Sequence, residues 1–148
     1  MSLITEMHSI EAFLKEKFPS AQVLLHDMPQ EPAADSFSVA LMNDVRKSET
    51  HLHIRTEREF QLRYAGTGTE AVLETMDLLS SLVYQTQLIP ITDAPRFLRI
   101  ASFTFSTPNP TGNGLFICTG SLRTEGRTAR TQESYEKMQH VYVQQVTV

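Results

Sequence analysis

His51 and His53 stand two apart in the stretch HLHIRTEREFQLRY, residues 51–64. On a β-strand that spacing turns both imidazoles to one face, the geometry of two ligands to a metal. A zinc site needs three or four ligands. Glu57 and Glu59 share the parity but lie further along, and His8, His26 and His140 are remote in sequence. With the set incomplete, the pair reads as part of a solvated or interface face. The His-x-Ser/Thr pairs of two-histidine phosphoesterases are missing as well, because the second residue after His51 is His53, after His53 it is Arg55 and after His140 it is Tyr142.

Three further features carry residue types that can do chemistry. Cys118 is the one cysteine and lies in FICTG, an apolar strand candidate. A reactive thiolate needs a neighbouring cation or a helix N-terminus, so here the residue reads as a small buried hydrophobe. Gly66-Thr67-Gly68 precedes a helix, where backbone N–H groups can hold an anion. Neither G-x-x-x-x-G-K nor G-x-G-x-x-G is present, so a turn with a Thr67/Glu70 capping box is expected. Glu70, Glu74 and Asp77 read as acids favoured by the dipole early in a helix, and no acid–base pair stands out.

Arginine supplies nine of the 13 basic residues. Arg55, Arg58 and Arg63 fall on the strand HLHIRTEREFQLRY, and Arg123, Arg127 and Arg130 in RTEGRTARTQES (123–134), read as a polar loop. The planar guanidinium makes paired hydrogen bonds, which suits it to interfaces. Arg55, Glu57, Arg58, Glu59, Arg63, Arg123, Arg127 and Arg130 are therefore candidate residues of a subunit interface, against the plainer reading of a scattered solvated surface.

The elements that would position them follow from periodicity. Residues 3–18 place Ile4, Met7, Ile10, Phe13, Leu14 and Phe18 on one stripe, with Ser2 as N-cap, Glu11 and Lys15 paired, and Pro19 ending the helix. Residues 21–26 form a short strand, 28–36 a loop and 37–43 a strand, after which NDVRKSET connects onward. In 51–64 the even positions are apolar at both ends and the odd positions are all polar; Arg58 interrupts the apolar face, which predicts a bulge or a departure from the sheet. A second helix carries Val72, Leu73, Met76, Leu79, Leu82 and Val83 and ends near Gln87.

Residues 96–106 form a strand whose apolar parity switches, predicting a bulge or a strand buried on both faces. TPNPTGNG turns the chain and LFICTGSL pairs back as a hairpin. YEKMQ reads as a helical turn and HVYVQQVTV (140–148) as a terminal strand. The expected fold is α+β: an antiparallel or mixed sheet with two main helices on one face, a β-hairpin and a C-terminal strand, in one domain over 1–148.

The 148 residues are 41% hydrophobic and 20% charged, enough for a packed core. A net charge of −4 argues against a dedicated nucleic-acid binder. One cysteine fits a reducing compartment, no run approaches the ~20 apolar residues of a membrane span, and MSLITEMHSI does not read as a signal peptide, so a soluble cytoplasmic protein is expected.

The chain resembles the phage tail terminator, or tail completion, proteins over most of its length. The resemblance lies in an opening helix ending in KFPSAQVLLHDMPQ, the strand FSVAL, the strand REFQLRY and the helix EAVLETMDLLSSL. It continues through RFLRIASFTF, the hairpin arm GLFICTGSLR and EKMQHVYV. It implies a non-enzymatic structural protein without cofactor or metal, assembled in the host cytoplasm and located in the tail or neck of the virion. It implies a homo-oligomeric ring, hexameric in that family, that caps the head-proximal end of the tail tube and stops its polymerisation. Its implied partners are the tail tube protein, the head–tail connector and head completion proteins, and genomic DNA passing through the lumen without sequence-specific binding, which makes the same eight charged residues candidates for the lumen wall; no membrane is involved. The alternative from another class is a small acidic secretion chaperone, a dimer holding an unfolded effector segment.

Overall fold

A computed structural model describes residues 2–91 and 96–131; YEKMQ and HVYVQQVTV lie outside the described residues. The chain folds as α+β, two helices against a curled, mixed sheet of seven strands. Helix α1 runs Leu3–Lys17, and Ser2 caps it by accepting the Thr5 N–H at 3.1 Å. Glu11 reaches Lys15 at 3.6 Å on the wet side. Phe18 caps the other end before Pro19, and Met7, Ile10, Phe13 and Leu14 turn inward as the three-and-four spacing requires.

The strands are β1 (Gln22–Leu25), β2 (Ser36–Ser48), β3 (His53–Gly66), β4 (Leu88–Pro90), β5 (Phe97–Phe105), β6 (Asn109–Pro110) and β7 (Phe116–Ala129), with α2 (Thr69–Thr86) between β3 and β4. The sheet order is β1-β2-β3-β7-β5-β4, with β6 added on β7. β1 pairs parallel to β2, and every other pairing is antiparallel. α1 packs on β1 and β2 at one margin and on β4 at the other, so the sheet wraps around it. α2 packs on β3, β5 and β7.

Period two decides which side faces the helices. Phe60, Leu62 and Tyr64 of β3 lie inside, and their cross-strand partners Leu122, Gly120 and Cys118 point the same way. Val72, Met76, Leu79 and Val83 of α2 close the core from above. Burying such side chains contributes about 1.5–3 kcal/mol each. Gly120 lets β5 approach closely, since a Cβ there would sit 2.9 Å from the Phe103 ring and 3.0 Å from the Thr104 carbonyl oxygen.

Four expectations change. β3 runs unbroken through Arg58; the register shift falls instead on β2, between Leu41 and Asn43, where Met42 bulges out. NDVRKSET is not a connector, because β2 continues to Ser48. RTEGRTARTQES is not a loop at its start, because β7 continues to Ala129. In both stretches β3 supplies a full-length antiparallel partner, and completed backbone pairing outweighs weak local strand propensity. The Thr67/Glu70 capping box is not formed; Gly68 occupies the N-cap position with no side-chain bond. The expected bulge in the 96–106 strand is present, as a register shift between Ile100 and Ser102.

Candidate functional site

β2, β3 and β7 are each 13 or 14 residues long, and the helices cover only one end of them. The rest, residues 43–48, 53–59 and 123–129, forms a ribbon of three strands, joined at its root by β5 through Arg99, Ile100 and Ser102. At about 3.3 Å per residue its length is roughly 20 Å. Apart from Val45 and Ile54 it carries no large apolar side chain on either face.

The register writes the outer face in rows. Lys47, Arg55 and Arg127 stand side by side; the next row holds Val45, Glu57, Glu125 and Arg99, and the next Asn43, Glu59, Arg123 and Ser102. Like charges directly opposite each other destabilise a sheet. Here each cationic row leans diagonally onto acids. Arg55 reaches Glu57 at 3.0 Å and Glu125 at 2.7 Å, Lys47 reaches Glu57 at 3.5 Å, and Arg127 reaches Glu49 at 2.6 Å. Glu59 accepts from Ser121 at 2.5 Å and lies 4.0 Å from Arg123.

On the inner face, where ribbon meets core, Arg58 is only 4% exposed. Its Nε donates to Asp44 Oδ2 at 2.7 Å and its Nη1 to Glu6 Oε2. Glu6 comes from the first turn of α1, so this ion triad ties that helix to the root of the ribbon. The hydrogen bond from Arg58 holds the Asp44 carboxyl below the usual carboxylate range. Burial pushes Glu6 upward, against the pull of Arg58.

Of the residues expected at an interface or lumen, Arg55, Glu57, Glu59, Arg63, Arg123 and Arg127 share the outer face. Arg63 sits at its core end, half-buried opposite Ser38 and Thr119. Arg130 lies just past β7, where its backbone N–H donates to the Leu52 carbonyl at 2.8 Å and its guanidinium to Ser48. Arg58 departs from the set: it is enclosed within the chain and reaches no open surface.

The two histidines do not share a strand face. His51 belongs to the turn between β2 and β3, in which Thr50 Oγ1 accepts the Leu52 and His53 N–H groups, each at 3.1 Å, and only His53 enters the strand. Among the described residues no group of three or more His, Cys, Asp or Glu is placed to hold a metal ion. Cys118 is buried, donates to the Ser106 carbonyl at 3.0 Å, and has its thiol pushed up by burial.

Sequence reasoning passed over Glu6 and Asp44 as partners of Arg58, and Glu49, Arg99 and Glu125 as members of the outer face. One signal was available for Glu125. It shares parity with Arg123 and Arg127, as Glu57 and Glu59 do with Arg55. A groove of about 750 Å³ opens on this face, with Arg55, Arg96, Phe97, Arg99 and Arg127 among its walls.

No family model matches the chain, and no curated protein matches it. Thirteen chains of solved structure are similar to it. One of them aligns over 90% of this chain and 99% of its own, with a TM-score of 0.49 and 13% identity. At that distance no function transfers. No helix among the described residues is long and apolar enough to cross a membrane.

Proposed function

We propose that this chain is a structural phage protein of the tail terminator type. It forms a ring, hexameric as the sequence resemblance implies, which caps the head-proximal end of the tail tube, halts polymerisation and presents a surface to the head connector. The proposal carries no catalytic role. Its partners are its own copies, the tail tube protein and the connector and head completion proteins, with DNA passing through the lumen.

The observation that carries this reading is the ribbon. Ordering a residue costs about 1–2 kcal/mol of backbone entropy. The core half of the sheet offsets that cost by burying apolar side chains; the ribbon buries almost none, and its exposed ion pairs contribute about 0–1 kcal/mol each. A long arm of this kind is suited to contact with something outside its own subunit. Arginine-rich, ion-paired surfaces match interfaces that form after folding, and heterologous contacts that close make a finite ring.

Native mass spectrometry of the purified protein, with electron microscopy after mixing it with tail tubes, tests this. A hexamer mass, or tubes decorated at one end, is expected. A strict monomer with no affinity for tubes would remove the proposal, and a dimer that binds unfolded segments would select the secretion chaperone instead.

A further inference from the structure

Two charged surfaces without ion-pair partners among the described residues lie on opposite sides of the sheet. The first is the outward face of α2. Glu70, Glu74 and Asp77 follow an i, i+4, i+7 spacing and so turn one way, opposite the buried Val72, Met76, Leu79 and Val83. Leu73 and Leu78 flank them, and Leu78 is 51% exposed. α2 contains no Lys, Arg or His, and no basic group among the described residues lies within 4 Å of these acids.

The second surface is the arginine end of the outer groove. Arg55 and Arg127 are matched by Glu57, Glu125 and Glu49. Arg96 and Arg99 have no carboxylate within 4 Å among the described residues, and Phe97 between them is 60% exposed. Glu125 lies across the strands from Arg99 without an ion pair to it, so a cationic spot with an aromatic at its centre stands on a chain of net charge −4. Aromatic and arginine side chains together are the composition of interface anchors.

A single molecule cannot bring these surfaces together, since α2 covers the inner face of the sheet and Arg99 lies in the outer row with Glu125. We infer that the acidic face of α2, through Glu74 and Asp77 with Leu78, docks on the Arg96–Phe97–Arg99 groove of a second copy. The occupant is a second copy because the two surfaces complement each other in charge and each pairs apolar contact with charge. The contact is heterologous, so it propagates around a ring. This inference rests on the ring reading of the protein and names the surfaces that build the ring.

The test uses two charge-reversed variants of the full chain, Glu74→Arg/Asp77→Arg and Arg96→Glu/Arg99→Glu. All four side chains are exposed, so both variants are expected to keep the wild-type melting temperature. In sedimentation velocity at about 10 µM, where micromolar contacts are half-formed, each variant alone is expected to lose at least roughly tenfold of its assembled fraction. An equimolar mixture is expected to recover it, because the acidic face of one variant meets the basic groove of the other, and the reversed pair also matches. An even-numbered ring accommodates this alternation. A milder pair, Glu74→Gln and Arg99→Gln, is expected to show a smaller loss and serves if a reversed variant fails to fold.

Wild-type rings with either reversed variant assembling equally well would overturn this docking while leaving the ring reading intact. Loss in both variants without recovery on mixing would overturn the pairing of these two surfaces. A wild-type chain that never assembles would overturn the ring reading, and this inference with it.

Discussion

The same three strands build two regions of opposite character. At their core end β3 and β7 contribute Phe60, Leu62, Leu122 and Cys118 beneath two helices, and the interior is apolar. At their far end they contribute Arg55, Glu57, Glu125 and Arg127 with no helix above, and side chains interact through charge. Pairing of β3 with β7 is continuous across the boundary, which Arg58, Glu6 and Asp44 mark. The difference separates what holds the fold from what, on the proposed reading, engages a partner. Removing apolar groups from the core end should unfold the chain, while removing charges from the ribbon should leave it folded and alter its associations.

The largest effect is expected in the core. Leu62→Ala removes a side chain that is almost wholly buried between strands and helices, and a loss of about 3–5 kcal/mol is expected in urea unfolding. A loss below about 1 kcal/mol would mean that the core end is loosely packed.

The boundary comes next. Arg58→Met leaves the buried Glu6 without its cation, while Asp44 keeps its pair with Arg46 at 3.4 Å, and a loss of about 3–5 kcal/mol is expected, near the core value. Replacing the whole triad, Glu6→Leu/Asp44→Asn/Arg58→Met, should recover most of that loss, because no uncompensated buried charge remains. Equal instability of the single and triple variants would show that the triad acts through shape instead of charge.

How far this division was legible in the sequence depends on the end of the sheet. The inner parity of 51–64 was clear because Phe60, Leu62 and Tyr64 alternate with polar residues, and both helices were clear from their stripes. The outer row of β3 was clear for the same reason. Arg58 was seen as an exception, but its cause was not, because Glu6 is 52 residues away along the chain and nothing local links the two. Polar strands were the systematic miss. RTEGRTA has the composition of a loop and becomes a strand only because β3 offers it a partner, which is information from pairing and not from the segment itself. His51 looked like a strand residue because periodicity does not show where a turn between strands begins.

A smaller effect concerns acid. Asp44 has a carboxyl held below its ordinary value by Arg58, so its stabilisation is fully present above that value and is lost as pH falls through the depressed one. Glu6 is raised, so its contribution runs the other way: its charge costs stability, and protonation relieves that cost as pH falls. Melting temperature measured between about pH 5 and about pH 2.5 should therefore fall less steeply for Asp44→Asn than for the wild type. Parallel slopes would mean that Asp44 gains nothing from Arg58.

The smallest effect on stability is expected on the ribbon. Arg55→Gln breaks half-buried contacts to Glu57 and Glu125 at the edge of solvent, and a loss under about 1 kcal/mol is expected. A loss approaching that of Leu62→Ala would place the ribbon within the cooperative core and abolish the distinction between the two regions.

On the proposed reading, a sheet extending beyond its core serves contact between copies. Native mass spectrometry of the wild-type chain at low salt measures this directly. The account predicts a closed ring at six times the 16.7 kDa subunit mass, diminishing as ionic strength screens the charged contacts. A monomer at every concentration and salt would contradict it.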